Sequence, residues 1–101
     1  MKRTDVTDII SAGAEVGGIT KADLLGRSRV EMLCTIRAIC CKLMHDELGM
    51  SNTSIGAQMG GRNHATVVNY LKRIDGWLET NDKFATDKYN KIRNRWKQMC
   101  L

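Results

Sequence analysis

The stretch GGRNHATVV, residues 60–68, determines how the rest of this chain is interpreted. Its two glycines favour a break in the backbone, and Asn63 is a residue type that commonly caps the N-terminus of a helix. The apolar residues Val67 and Val68 follow closely, where a buried stripe is expected to begin. The stretch therefore predicts a turn, followed by a helix that starts near residue 63 and carries short polar side chains in its first turn.

Outward from this stretch, the sequence predicts helices in both directions and no strands. Proline is absent, and no long alternating run of β-branched residues occurs. Capping residues and glycines mark the expected bounds. A first helix ends at Gly17 and Gly18, and a brief helix follows from Thr20 to Gly26. A long helix runs from a Ser28/Glu31 capping box to Gly49, a short helix from Ser51 or Asn52 to Gly60, and a basic last helix starts at Asn81 or Asp82. The residues expected to face inward on the last two helices are Val67, Val68, Leu71, Ile74, Leu78, Phe84, Tyr89, Ile92, Trp96 and Cys100.

The segment 52–78 has the order and sizes of a helix-turn-helix: a short helix, a glycine turn and a longer second helix. In that motif the N-terminal residues of the second helix enter the major groove of DNA. Asn63, His64, Ala65 and Thr66 would present an amide, an imidazole, a methyl and a hydroxyl there, which suit base edges. We expect an all-α helical bundle containing a helix-turn-helix, in one domain that covers residues 1–101.

The distribution of charge favours a polyanionic partner. The net charge is +5, and residues 51–101 hold nine Lys/Arg and four Asp/Glu while residues 1–50 hold seven of each. A basic face attracts nucleic acid, although a mildly positive soluble surface has the same composition. No apolar run approaches the roughly 18 residues that a membrane span needs, and the N-terminus lacks the apolar middle of a signal peptide. We expect a cytoplasmic protein without a membrane contact.

Enzymatic activity, metals and cofactors are not expected. The four cysteines form no CxxC pair, so we interpret them as reduced thiols. Cys41 and His45 lie one helical turn apart, but a metal would need two more ligands from elsewhere. No nucleophile, base and orienting group occur at a recognisable spacing, and no GxxxxGK[ST] phosphate loop is present.

The sequence GGRNHATV closely resembles the signature GGRDHTTV of the C-terminal DNA-binding domain of the bacterial replication initiator DnaA. The similarity extends without gaps, because ITKADLLGRSR (residues 19–29) is similar to the family's I-x-x-x-D-L-L followed by a basic loop, and IGAQMGGRNHATV (residues 55–67) is similar to I-G-x-x-F-G-G-R-D-H-T-T-V. The resemblance implies a helical bundle around a Trp-repressor-like helix-turn-helix. It also implies sequence-specific binding of double-stranded DNA at a DnaA-box-like site, linked to replication initiation or its regulation.

Roles for single residues follow from the same resemblance. Arg29 matches an arginine that enters the minor groove, and the predicted major-groove base contacts are Asn63, His64, Ala65 and Thr66. The predicted phosphate contacts are Arg37, His45, Asn52, Thr53 and Arg62. Each residue also has a plainer interpretation: Asn63 as a helix cap, and the basic and polar residues as solvated surface.

The chain departs from the family pattern at four of these positions. Asn63 stands where the family usually has Asp, and its amide could accept from cytosine N4 or pair with adenine N6 and N7. Ala65 replaces Thr and loses a hydroxyl, His45 replaces a lysine, and Thr53 stands where Pro is frequent. We therefore expect a DnaA-box-like site and not the unmodified box.

Alternative functions remain open at the level of sequence. One is a small Trp-repressor-like transcriptional regulator, which would normally dimerise, whereas we expect a monomer. Another is a helical protein-interaction module that has no specific affinity for DNA. A replication protein is an expected further partner. The short polar lead after Met1 fits a complete small gene product of a phage or mobile element, and equally an excised domain of a longer initiator.

Overall fold

The computed structural model describes residues 6–99, and this part of the chain folds into six helices without strands. The helices are α1 (Val6–Gly17), α2 (Lys21–Leu25), α3 (Glu31–Leu48), α4 (Asn52–Gln58), α5 (His64–Glu79) and α6 (Lys83–Met99). The predicted all-α fold with a helix-turn-helix is confirmed. Within residues 6–99, no helix combines the length and the apolar character that crossing a membrane requires.

Helix α3 forms the centre of the fold because it packs against each of the other five helices. Its middle is almost continuously buried from Leu33 to Met44, which explains why it carries apolar residues on every face. Helices α1 and α6 contact each other and α3, while α5 packs on α3 and α6. The core therefore holds α5 firmly along its length and leaves its first turn exposed.

Side-chain caps set several of the helix bounds where the sequence predicts them. The Thr20 hydroxyl accepts from the Asp23 N–H at 3.0 Å and starts α2. The Ser51 hydroxyl accepts from the Ser54 N–H at 3.2 Å and starts α4. Gly49 ends α3 in the left-handed conformation, with φ of 64°. These caps confirm the predicted starts of α2 and α4 and the end of α3.

Two predictions about helix ends and faces are wrong. The N-cap of α3 is Val30, which makes no side-chain cap bond, so Ser28 and Glu31 do not form a capping box. Phe84 is 46% exposed, because its neighbour Ala85 takes the inward position in the first turn of α6. The prediction that Cys100 faces inward lies outside the described residues.

The corner between α4 and α5 depends on glycine at two positions. The Arg62 N–H donates to the Gly56 carbonyl oxygen at 2.8 Å, and a Cβ on Gly56 would lie 2.1 Å from the Arg62 carbonyl oxygen. Gly60 has φ of +81°, and a Cβ there would lie 2.2 Å from the carbonyl oxygen of Leu25. Only glycine allows this left-handed conformation together with so close an approach of the backbone after α2.

Candidate nucleic-acid interface

A cleft of about 610 Å³ opens between the first half of α5 and residues 26–30, which we call the basic loop. Its lining, which we call the arginine cleft, consists of Arg27, Ser28, Arg29, Cys34, Arg37, Arg62, Thr66, Asn69, Tyr70 and Arg73. Five of these ten residues are arginines, and none is acidic. Such a concentration of positive charge in a concave surface attracts a polyanion.

Arg37 is buried beneath this cleft, with only 1% of its surface exposed. Its Nε donates to the Leu24 oxygen at 2.7 Å, and its other guanidinium N–H groups donate to the carbonyl oxygens of Asp23, Gly26 and Ser28 and to the Cys34 sulfur. These bonds engage every N–H of the guanidinium. They also satisfy carbonyls at the C-terminal end of α2, which have no partner within the helix. Arg37 therefore fixes the start of the basic loop.

Arg62 and Arg27 join the basic loop to the helix-turn-helix corner. Arg62 donates from Nη2 to the Gly26 oxygen and from Nη1 to the oxygens of Met59 and Leu25, the last at 3.4 Å. In the opposite direction, Arg27 donates from Nη2 to the Gly60 oxygen at 3.0 Å. The loop and the corner are consequently held in one fixed relation. Arg62 keeps its Nε–H and one Nη2–H without a partner among residues 6–99.

Two other arginines of the cleft present open guanidinium groups. Arg29 lies in the basic loop and Arg73 lies in the third turn of α5, and both are exposed. Neither makes a hydrogen bond or an ion pair with another residue of the described part of the chain. Their charges face solvent from opposite walls of the cleft, so they are available to an incoming anion.

The exposed tip of α5 carries the four predicted base-contact residues in consecutive positions. Asn63 is the N-cap, as its plainer interpretation predicts, and its Oδ1 accepts from the Thr66 N–H at 2.9 Å. His64 and Ala65 are exposed in the first turn. Thr66 is half-buried, lines the arginine cleft and donates from Oγ1 to the same Asn63 oxygen at 3.1 Å. Side chains at this tip can reach the edges of bases when α5 enters a groove.

The remaining predicted phosphate residues lie outside the lining of the arginine cleft. His45 is half-exposed at the last turn of α3, and its Nδ1 lies 3.0 Å from Asp46 Oδ1. Burial opposes ionisation of Asp46, but hydrogen bonds from His45 and Lys42 lower the pKa of its carboxyl. Asn52 and Thr53 occupy the first turn of α4. None of these three residues lines the cleft with Arg29 and Arg62.

The positive charge of α6 is largely paired with acidic residues. Glu47 of α3 accepts from Arg93 Nε at 3.2 Å and contacts Lys97 Nζ at 3.4 Å. Arg95 pairs with Glu15 of α1, and Lys91 pairs with Asp87 at 3.1 Å within the helix. The pairs leave α6 closer to neutral than its sequence indicates. Unpaired positive charge is therefore concentrated at the arginine cleft, although α6 holds more basic residues.

The buried cysteines are protected thiols. Burial raises the pKa of Cys40, and burial raises the pKa of Cys41 to about 12 against the opposing charge of Arg62. Both therefore stay protonated at neutral pH, and the thiol form is a poor nucleophile and a poor metal ligand. Among residues 6–99, His, Cys, Asp and Glu side chains form no cluster of three or more placed to hold a metal ion.

Sequence reasoning missed Asn69, Tyr70 and Arg73 as residues of the interface. They follow Thr66 at helical spacing, so all four project from the same face of α5 into the arginine cleft. The periodicity of α5 was therefore sufficient to find them, once Thr66 was placed on the DNA-facing side. The contacts predicted from the sequence of α5 lie only at its tip.

The corner of α4 and α5, with an arginine cleft beside the exposed start of its second helix, defines a helix-turn-helix DNA-binding domain. The family described as "Bacterial dnaA protein helix-turn-helix" matches residues 6–74. The chain belongs to this family, and the resemblance to the C-terminal domain of DnaA is confirmed.

Two relatives of the chain are DnaA proteins. It is 34% identical over 99 residues to the chromosomal replication initiator protein DnaA of Cutibacterium acnes, which covers 96% of this chain and 20% of that protein. It is 30% identical over 92 residues to the chromosomal replication initiator protein DnaA of Wolbachia pipientis wMel, which covers 91% of this chain and 20% of that protein. The chain thus spans about a fifth of the length of the curated relatives it matches.

Proposed function

We propose that this chain binds double-stranded DNA sequence-specifically at a DnaA-box-like site and acts in replication initiation or its regulation. The observation that carries the proposal is the arginine cleft, which joins the basic loop to the start of α5 in a fixed geometry. One wall reads the minor groove through Arg29, and the other reads the major groove through Asn63, His64, Ala65 and Thr66. The link to replication rests on the relatives, which are chromosomal replication initiators.

The phosphate contacts we propose differ from the sequence prediction at two positions. Every N–H of Arg37 is engaged by the protein itself, so we leave Arg37 out of the contacts and give it a structural role. Arg62 keeps free N–H groups and stays among them, with Arg73 added because it is open to solvent in the same cleft. Asn52, Thr53 and His45 stay as proposed contacts that rest on the resemblance alone.

Binding of one chain is sufficient for this function, and we propose that it acts as a monomer. The basic loop and α5 present two reading surfaces from the same chain, so a second subunit is not needed to read both grooves. Light scattering of the protein and of its DNA complex tests the stoichiometry. A stable dimer bound to a palindrome would favour the regulator instead.

The direct test is fluorescence anisotropy at physiological salt with a duplex that contains a DnaA-type box and with a scrambled duplex of equal composition. We expect tighter binding to the box by at least about tenfold, since each correct base pair adds about 1 to 3 kcal/mol. Selection from a random duplex library then gives the preferred site. Equal weak binding to the box and the scrambled duplex, together with no enrichment from the library, would rule out sequence-specific binding.

The variant Arg29→Ala is expected to reduce discrimination between the box and the scrambled duplex by about 1 to 3 kcal/mol. Arg29 is exposed in the basic loop and has no partner within the described residues, so its removal changes the interface without disturbing the fold. Anisotropy titrations on both duplexes measure the effect. Equal losses on the two duplexes would contradict base readout by Arg29, because a phosphate contact weakens all sequences alike.

Arg73→Ala is expected to weaken binding to every duplex alike and to lower the slope of log affinity against log salt by about one unit. The reason is that Arg73 adds an unpaired charge to the arginine cleft. Lys91→Ala is the matched control, because Lys91 is an exposed cation that lies on α6 and pairs with Asp87. The same change of slope in both variants would contradict the assignment of the interface to the cleft.

A further inference from the structure

We propose that Asn63 reads a guanine edge in the major groove and excludes cytosine, because the fold leaves only its amide N–H groups free to contact a base. The proposal rests on the proposed function, since it names the base preference of one residue in that interface. It replaces the two pairings expected from the sequence, with cytosine N4 and with adenine N6 and N7, by a third. It also makes this chain differ in specificity from proteins that carry an aspartate at the same place.

The orientation of the Asn63 amide is fixed by its partners. The Thr66 backbone N–H can only donate, so the atom that lies 2.9 Å from it must be the carbonyl oxygen Oδ1 and not Nδ2. The Thr66 Oγ1 donates to the same oxygen at 3.1 Å. An amide oxygen has two lone pairs, and these two bonds occupy both. Nδ2 donates to no acceptor within residues 6–99, and the side chain is exposed.

A side chain that offers only N–H groups selects among the base edges. Guanine presents the acceptors N7 and O6 side by side, so both hydrogens of Nδ2 find a partner there. Cytosine presents only its N4 donor, which would face another donor. Adenine offers N7 beside the N6 donor, and pairing with both would require the oxygen that Thr66 already occupies. Thymine presents the single acceptor O4, so only one N–H finds a partner there. Guanine is therefore favoured and cytosine is the least favourable base.

The variant Asn63→Asp tests this inference with the smallest possible change. Aspartate caps a helix as well as asparagine does, so the bonds from Thr66 and the stability of the fold are kept. The free atom becomes a carboxylate oxygen, which accepts and cannot donate. The added negative charge weakens binding to every sequence, so the ratio of affinities for two bases is the informative quantity. An unchanged melting temperature verifies that the fold is intact.

The experiment begins with the preferred site of the wild-type protein, selected from a random duplex library. Each position of this site is then replaced by all four bases, and affinities of wild type and Asn63→Asp are measured on the set. We expect one position at which the wild type prefers guanine over cytosine by about tenfold and Asn63→Asp prefers cytosine. The other positions keep their order of preference. A wild-type preference for cytosine, adenine or thymine at the position that responds overturns the inference.

Thr66 provides a second variant that acts on the same oxygen. Thr66→Val removes the hydrogen bond from the hydroxyl and frees one lone pair of Asn63 Oδ1. Oδ1 can then accept from adenine N6, so the ratio of the affinity for guanine to the affinity for adenine is expected to fall. Thr66→Ser keeps the hydroxyl and is expected to keep the ratio. Identical ratios in the two variants overturn the part assigned to the hydroxyl.

Failure of the inference and failure of the proposed function give different results. If the library yields an enriched site and Asn63→Asp changes the preference at no position, Asn63 does not read a base, while specific binding stands. If the wild type enriches no sequence, the proposed function fails and the base preference of Asn63 fails with it.

Discussion

Replacing Arg37 with alanine is expected to lower the free energy of unfolding by about 3 to 5 kcal/mol. The arginine is 1% exposed and donates to four carbonyl oxygens between Asp23 and Ser28. Its removal takes one donor from each of them, although the Asp23 oxygen keeps the Gly26 N–H and the Gly26 oxygen keeps Arg62. A loss of this size corresponds to a drop in melting temperature of about 4 to 8 °C for each kcal/mol in a domain of this length. Urea unfolding followed by circular dichroism measures the effect.

Two further variants separate the hydrogen bonds of Arg37 from its charge. Arg37→Lys keeps the charge, but a single ammonium group cannot satisfy carbonyls arranged around a planar fork, so it is expected to recover less than half of the loss. Arg73→Ala is the matched control, because it removes an exposed arginine of the same cleft and is expected to change stability by less than about 0.5 kcal/mol. Near-equal stability of wild type and Arg37→Ala would show that the buried bonds do not hold the loop.

The second large effect is expected from Gly60→Ala, which should lower the free energy of unfolding by about 3 kcal/mol and remove specific DNA binding. The alanine methyl group would lie 2.2 Å from the Leu25 oxygen, and the backbone of the alanine would have to adopt φ of +81°. Relief of the clash requires the basic loop to move away from the helix-turn-helix corner. Arg29 then leaves its place relative to α5, so specific affinity falls more than the general affinity for DNA.

The neighbouring glycine serves as the control for Gly60→Ala. Gly61 also has a positive φ, of +75°, but a Cβ there would meet nothing within 4 Å. Gly61→Ala is therefore expected to lose only the roughly 1 kcal/mol of left-handed strain and to keep its preference for the specific duplex. The difference between the two variants measures the contact with the basic loop. Equal losses of stability and of specificity in the two would mean that strain alone accounts for both.

The sequence predicted most of the fold because caps and glycines act locally. Thr20, Gly49 and Asn63 end or begin helices where expected, since the side chain or the backbone of each meets the helix within one turn. The start of α3 was predicted wrongly, because Ser28 is engaged by Arg37, a residue outside the Ser28/Glu31 pattern. Arg37 takes the Ser28 carbonyl, and the basic loop continues to Val30 before the helix begins.

The site was predictable at the tip of α5 and not at the floor of the arginine cleft. Asn63 and Thr66 lie together because they are near in sequence. Arg37 is distant from the residues it contacts, and nothing in its immediate neighbours distinguishes a buried arginine from a solvated one. The pairing of Arg95 with Glu15, 80 residues away, is hidden from sequence patterns for the same reason. Charge counts therefore located the positive excess in the second half of the chain but not at the cleft.

Asn63 has two roles, as the cap of α5 and as the proposed base contact, and this restricts how the specificity of the domain can evolve. The side chain that starts α5 is also the one that we propose reads a base, so a substitution that changes the base preference must still cap a helix. Serine, threonine, asparagine and aspartate meet that condition, whereas lysine, arginine and alanine would lose about 1 kcal/mol of helix stability. Single substitutions that keep the helix cap are therefore limited to these few short polar residues. Recognition by a long cation at this point would first require a stabilising change elsewhere in the corner.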